Sequence, residues 1–235
     1  MQTTLPERTS KPMGRPRTFD MEQALDTAMN LFWKYGYDGV TFSMVAEAIG
    51  INRPSLQAAF GSKEDLFRAV LQRYMDKPSA YVNAALALPD TESAVRLYLE
   101  GAADNVTEDD TRRGCLATIG ASIGPPESEG MRKEVALIRK RAEASLRERL
   151  RKGLKKGDLE EGANVSALAS FLMTVIYGNV LRAKEGHTRA SLQITIDMAM
   201  KAIPFNRVAP ESRNRREDAG QTRRAAHTKS NRGLQ

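Results

Sequence analysis

Arg53 and Gln57 stand four residues apart in this 235-residue chain, and their side chains suit selective hydrogen bonding. A guanidinium donates two parallel bonds to guanine O6 and N7, and a carboxamide pairs with adenine N6 and N7. On one helix the spacing turns both the same way, with Ser55 and Ala58 also outward. Covalent chemistry has far less to work with. A single cysteine, Cys115, excludes an intrachain disulfide framework and any zinc site built on several cysteines, and it fits a reducing compartment. The two histidines, His187 and His227, leave little for imidazole catalysis. No glycine-rich phosphate loop, nucleophile elbow or paired metal-ligand motif is present, so no metal and no cofactor are expected and an all-helical enzyme is the weaker reading.

The element that would position Arg53 and Gln57 is the segment FSMVAEAIGINRPSLQAAFG, residues 42–61, which has the form helix, short turn, helix. Val45, Ala46 and Ile49 give the first helix an inner face, and Gly50 falls where the turn needs unusual backbone. Asn52 is a suitable N-cap, Pro54 is tolerated in the first turn, and Leu56 and Phe60 turn inward. Such a pair suits DNA, because the major groove accepts one helix while the preceding one crosses the phosphates. The same pattern also describes an ordinary helical hairpin with a polar face.

Helical periodicity dominates residues 19–203 and no alternating run suggests a sheet, so an all-α fold of about nine helices is expected. The first runs from an Asp20 cap to Gly36, and one opens at Ser62 after the two short ones. Five more fall at about 91–105, 115–123, 127–156, 164–184 and 188–203. Residues 162–181 match a membrane span in length, but Asn164, Ser166, Ser170, Thr174 and Asn179 favour a helix buried in protein; no membrane partner is expected. The N-terminus lacks the apolar core of an export signal. Composition divides the chain into an arm (1–18), a helical body (19–203) and a disordered tail (204–235).

The string from Gly14 to Tyr74 resembles the N-terminal domain of the TetR/AcrR family of transcriptional regulators. It does so through GRPRTFD (14–20), ALDTAMNLFWKYGYDGVTFSMVAEAIGINRPSL (24–56) and AFGSKEDLF (59–67), about a quarter of the chain. The resemblance implies phosphate contacts from Thr41 and Ser43, a groove-facing set of Arg53, Pro54, Ser55, Gln57 and Ala58, and a backbone contact from Lys63. The family usually has an aromatic residue where Gln57 stands, which leaves base reading and phosphate bonding both open for Gln57. Arg15 and Arg17 in the GRPR string suit a narrow minor groove, and a merely soluble leader is the alternative.

The resemblance further implies a helix-turn-helix DNA-binding domain at 19–77, a larger helical effector-binding and dimerisation domain at 78–203, and a cytoplasmic, ligand-released homodimeric repressor on a palindromic double-stranded operator. On the penultimate and last helices, Leu168, Phe171, Leu172, Val175, Ile176, Leu192, Ile196 and Met200 are the expected dimer contacts. Tyr81, Leu97, Tyr98, Ile119, Met173 and Tyr177 are candidate lining for an unidentified small-molecule effector, though each also reads as ordinary core. Cys115, after Arg112 and Arg113, reads either as a reactive sensor or as a small buried residue. The formal charge of +7 is uneven: the arm contributes +3, the tail +5 and the body −1. Basic ends of this kind would equally serve an architectural, nonspecific DNA binder, so charge does not identify the reading domain.

Overall fold

The computed structural model describes residues 19–76 and 79–206, and the described residues form ten α-helices and two short 3-10 turns. The expected arm, with Arg15 and Arg17, and residues 207–235 lie outside them. Helix α1 (Met21–Gly39) starts on Asp20, whose carboxylate accepts from the Glu22 and Gln23 amides at 2.9 and 3.3 Å. The regular helix breaks at Gly36, where the sequence places its end: Gly36 takes φ 71° and ψ 172°, and a separate turn follows through Tyr37 to Gly39. There the Tyr37 amide donates to the Gly120 carbonyl at 2.6 Å, tying the kink to a distant loop.

Helices α2 (Phe42–Ile49), α3 (Arg53–Phe60) and α4 (Lys63–Asp76) complete the N-terminal part. Their core is aromatic, with Phe32 and Phe67 edge-on at 4.8 Å and Trp33 and Tyr74 edge-on at 5.0 Å. Helix α5 (Ser79–Ala87) is additional to the expected set. Helix α6 (Thr91–Thr107) follows an Asp90 cap, and α7 (Leu116–Ile119) is one turn rather than the helix expected to reach 123, because the Gly120 carbonyl accepts from the distant Tyr37 amide in place of a following helical one. Helices α8 (Glu129–Lys156), α9 (Val165–Lys184) and α10 (Arg189–Ala202) end the bundle.

Two hydrophobic cores result. One joins α6, α9, α10 and the second half of α8, around Leu99, Leu150, Leu172, Leu192 and Ile196. The other belongs to α1–α4 but also takes in Leu116, Ala117 and Ala121 from the α7 region and Met131 and Val135 from α8. The packing therefore crosses the expected division at residue 77. The first residues of the expected tail are ordered: Phe205 is buried, bridges Leu159, and the Asn206 amide donates to the Asp158 carbonyl at 2.8 Å.

Candidate functional site

Local chemistry sets the pose of α2 and α3. Thr41 Oγ1 accepts from the Met44 amide at 3.2 Å and Asn52 Oδ1 from the Ser55 amide at 2.8 Å, so both helices start on side-chain caps. Between them Gly50 takes φ 78°, a conformation that costs L side chains energy even though a Cβ would meet nothing within 4 Å. Val45, Ala46 and Leu56 are buried where the helices cross.

The outward face carries Arg53, Pro54, Ser55, Gln57 and Ala58, all exposed, with Thr41 and Ser43 exposed at the start of α2. Neither α2 nor α3 has an acidic residue in its first turn, so the positive ends of both helix dipoles face solvent uncompensated. Lys63 sits differently from a free phosphate contact. It is half-buried, with its ammonium 4.3 Å from the centroid of the Tyr37 ring, while Tyr37 Oη donates to Glu64 Oε1 at 2.9 Å. Burial lowers the Lys63 pKa, and Asp38 and Glu64 nearby work against that shift.

A second feature is a cavity of about 620 Å³ bounded by α4 to α9. Of the expected lining, Tyr81, Tyr98, Cys115, Met173 and Tyr177 are on its wall. Leu97 and Ile119 are not; they pack against the larger core instead. The sequence reading missed Tyr74, Asn105 and a bidentate Arg68–Glu134 pair at 2.8 and 2.7 Å that joins α4 to α8 across the wall. Tyr74 Oη donates to Cys115 Sγ at 3.1 Å and accepts from Asn105 Nδ2 at 3.3 Å. Arg112 and Arg113 give Cys115 less positive charge than their adjacency suggests, since Asp109 and Asp110 hold them and Arg113 also donates to the His187 carbonyl.

The third feature is an apolar surface on α9 and α10. Here the expected contacts divide. Leu172, Leu192, Ile196 and Met200 face the protomer's own core, being 0 to 2% exposed, and leave no surface for a partner. Leu168, Val175 and Ile176 are half-buried. Phe171 is exposed, together with Leu181, Ile194 and Met198, which the sequence reading missed. Helix α9 is long and apolar enough to cross a membrane, yet it packs against α6, α8 and α10, and Arg182 pins it to Thr195 and Ser191 of α10 at 2.6 and 2.8 Å. Among the described residues no group of three metal-ligating side chains occurs.

An exposed, capped helix-turn-helix ahead of a helical domain with a cavity has well-defined relatives. Residues 24–70 match the family described as bacterial regulatory proteins, tetR family, and residues 91–198 match the tetracyclin repressor-like C-terminal domain. The chain belongs to the TetR family. It is thus a helix-turn-helix transcriptional regulator rather than an enzyme. It is 34% identical over 201 residues to the HTH-type transcriptional repressor ComR of Escherichia coli (strain K12), covering 85% of this chain and 94% of that protein. The repressor BdcR of the same organism is 30% identical over 199 residues, covering 84% and 95%. Among solved structures, a cysteine-substituted TetR family regulator CifR complexed with 26bp double-strand operator DNA is 38% identical. Its TM-score is 0.76, with 81% of this chain and all of that chain covered.

Proposed function

We propose that the protein is a cytoplasmic, homodimeric repressor that binds a palindromic double-stranded operator and releases it when a small molecule occupies the cavity. The observation that carries this reading is the α3 face: the Arg53 and Gln57 side chains are exposed and have no hydrogen-bond partner among the described residues. Arg53 and Gln57 read base edges, Pro54, Ser55 and Ala58 line the groove, and Thr41, Ser43 and Lys63 meet phosphates. Arg15 and Arg17 in the 1–18 arm enter the minor groove, with residues 19–77 as reading domain, 78–203 as effector and dimer domain and 204–235 as a basic tail. Phe171, Leu181, Ile194 and Met198 supply the dimer face, and release requires the ligand to favour the conformation that does not bind DNA. Operator-bound CifR supports the DNA partner.

Selection of bound sequences from a random duplex pool, followed by titration at fixed salt, tests the reading. The expected result is a palindrome with half-sites about one helical turn, roughly 34 Å, or a multiple apart. Its affinity should exceed nonspecific binding by about a thousandfold or more. A protein with no sequence preference would be an architectural DNA binder instead.

A further inference from the structure

We infer that the cavity selects an uncharged, largely apolar molecule bearing a hydrogen-bond acceptor oxygen, which takes the proton of the Tyr98 hydroxyl. The inference rests on the proposal that the cavity is the effector site and names the class of molecule it holds.

Buried hydroxyls in folded proteins are nearly always paired, so an unpaired one on a cavity wall marks the place of a missing partner. Four tyrosines line this cavity. Tyr74 is satisfied by Cys115 and Asn105. Tyr98 is only 5% exposed and lines the cavity, and its hydroxyl has no hydrogen-bond partner among the described residues. Tyr81 stands edge-on to it with ring centroids 6.1 Å apart, and neither Tyr81 nor Tyr177 has a protein partner for its hydroxyl among the described residues. Burial pushes the Tyr98 pKa up to about 12 and raises those of Tyr81 and Tyr177, so all three remain donors at neutral pH.

Charge decides between a neutral and an ionised ligand. Every charged residue on the wall comes from α4 or α8, and none from α5, α6, α7 or α9. Arg68 is paired with Glu134 and Asp65; Arg139 keeps its charge, but it donates to the Ala117 carbonyl at 3.1 Å and acts on Tyr177 rather than on Tyr98, and Arg141 is exposed. A carboxylate brought to Tyr98 would be buried without a counter-ion, whereas a carbonyl or ether oxygen meets a donor that is otherwise unused. At about 30 Å³ per water the space holds roughly 20 non-hydrogen atoms.

The experiment is displacement of prodan, an uncharged carbonyl-bearing dye small enough for that space, from the full chain by methyl nonyl ketone, decanoate and dodecane. These three have equal numbers of non-hydrogen atoms. The ketone is expected to displace the dye at concentrations several-fold lower than either competitor. Tyr98→Phe should weaken the ketone about three- to tenfold and leave dodecane unchanged, which also shows that the variant folds. Decanoate matching the ketone, dodecane matching it, equal weakening of ketone and dodecane by the substitution, or no dye binding at all would each overturn the inference. The wild-type comparison stands without the variant. Operator release is read separately: a ketone that binds as expected but leaves the protein on DNA refutes the release reading and not the ligand class.

Discussion

Leu56→Ala removes the one fully buried side chain of α3. An eight-residue helix is marginal alone in water, so α3 depends on this attachment more than a longer helix would. Truncating a buried leucine to alanine costs about 2–5 kcal/mol, according to how far the site collapses. Phe60 provides a second, half-buried attachment, which favours the lower half of that range. If the loss falls on α3 docking, the population with α3 undocked rises roughly 30-fold or more. Hydrogen exchange read by mass spectrometry should then show α3 peptides opening faster by such a factor while α6 and α9, in the other core, keep their protection. Operator affinity should fall in parallel, and Gln57→Ala, on the exposed side of the same helix, should leave exchange unchanged. The reasoning fails if α3 exchanges no faster than in wild type, or if α6 and α9 accelerate by the same factor.

Other expectations follow from single contacts. Arg53→Ala should cost about 1–3 kcal/mol and relax preference at one base pair, whereas Lys63→Ala should weaken all sequences alike and lower the salt slope by about one; operator-variant titrations separate the two. Ile194→Glu, at a site 67% exposed, should convert the dimer to a monomer in sedimentation while changing protomer stability by less than about 0.5 kcal/mol. Tyr37→Phe removes a bond to Glu64, whose pKa is lowered first by its own backbone amide and next by Tyr37. A folded pKa below the ordinary 4.5 means stability that is present above that value and lost as pH falls through the lowered one. Because Glu64 is exposed, the wild-type advantage should be about 0.5–1 kcal/mol at pH 7 and close on acidification below 4.5, as denaturant melts will show.

What could be read from the sequence follows from how local each signal is. The caps at Asp20 and Asn52, the turn at Gly50 and the inward Leu56 each depend on neighbours within a few residues, and each is where the chain predicts it; the Thr41 cap on α2 is a further one that the sequence reading missed. Helix α5 was hidden because SAYVNAALA is small or apolar nearly all round and carries no polar stripe, and Pro78 stands at its entrance. In α9 and α10 apolar residues surround much of the helix, so periodicity finds the elements but not which flank faces the core. The expected dimer contacts accordingly mix Phe171 with the buried Leu192 and Ile196. Bulky Tyr81, Tyr98, Met173 and Tyr177 stood out along the chain, but Arg68 meets Glu134 across 66 positions and Lys63 meets the Tyr37 ring across a helix boundary. Only the tertiary fold brings such pairs together.

Helix α7 has a consequence for anyone who exchanges parts between such regulators. Leu116 is fully buried in the core of α1–α4, Ala117 and Thr118 line the cavity, and the Gly120 carbonyl holds the Tyr37 amide. A hybrid cut at residue 77, taking its reading head from one parent and everything after it from another, would split a single packed unit. It would put foreign residues into the core that Leu116, Met131 and Val135 now share with Phe32, Trp33 and Tyr74. The exchangeable module is therefore discontinuous along the chain: residues 19–76 together with the segment from Leu116 to Val135.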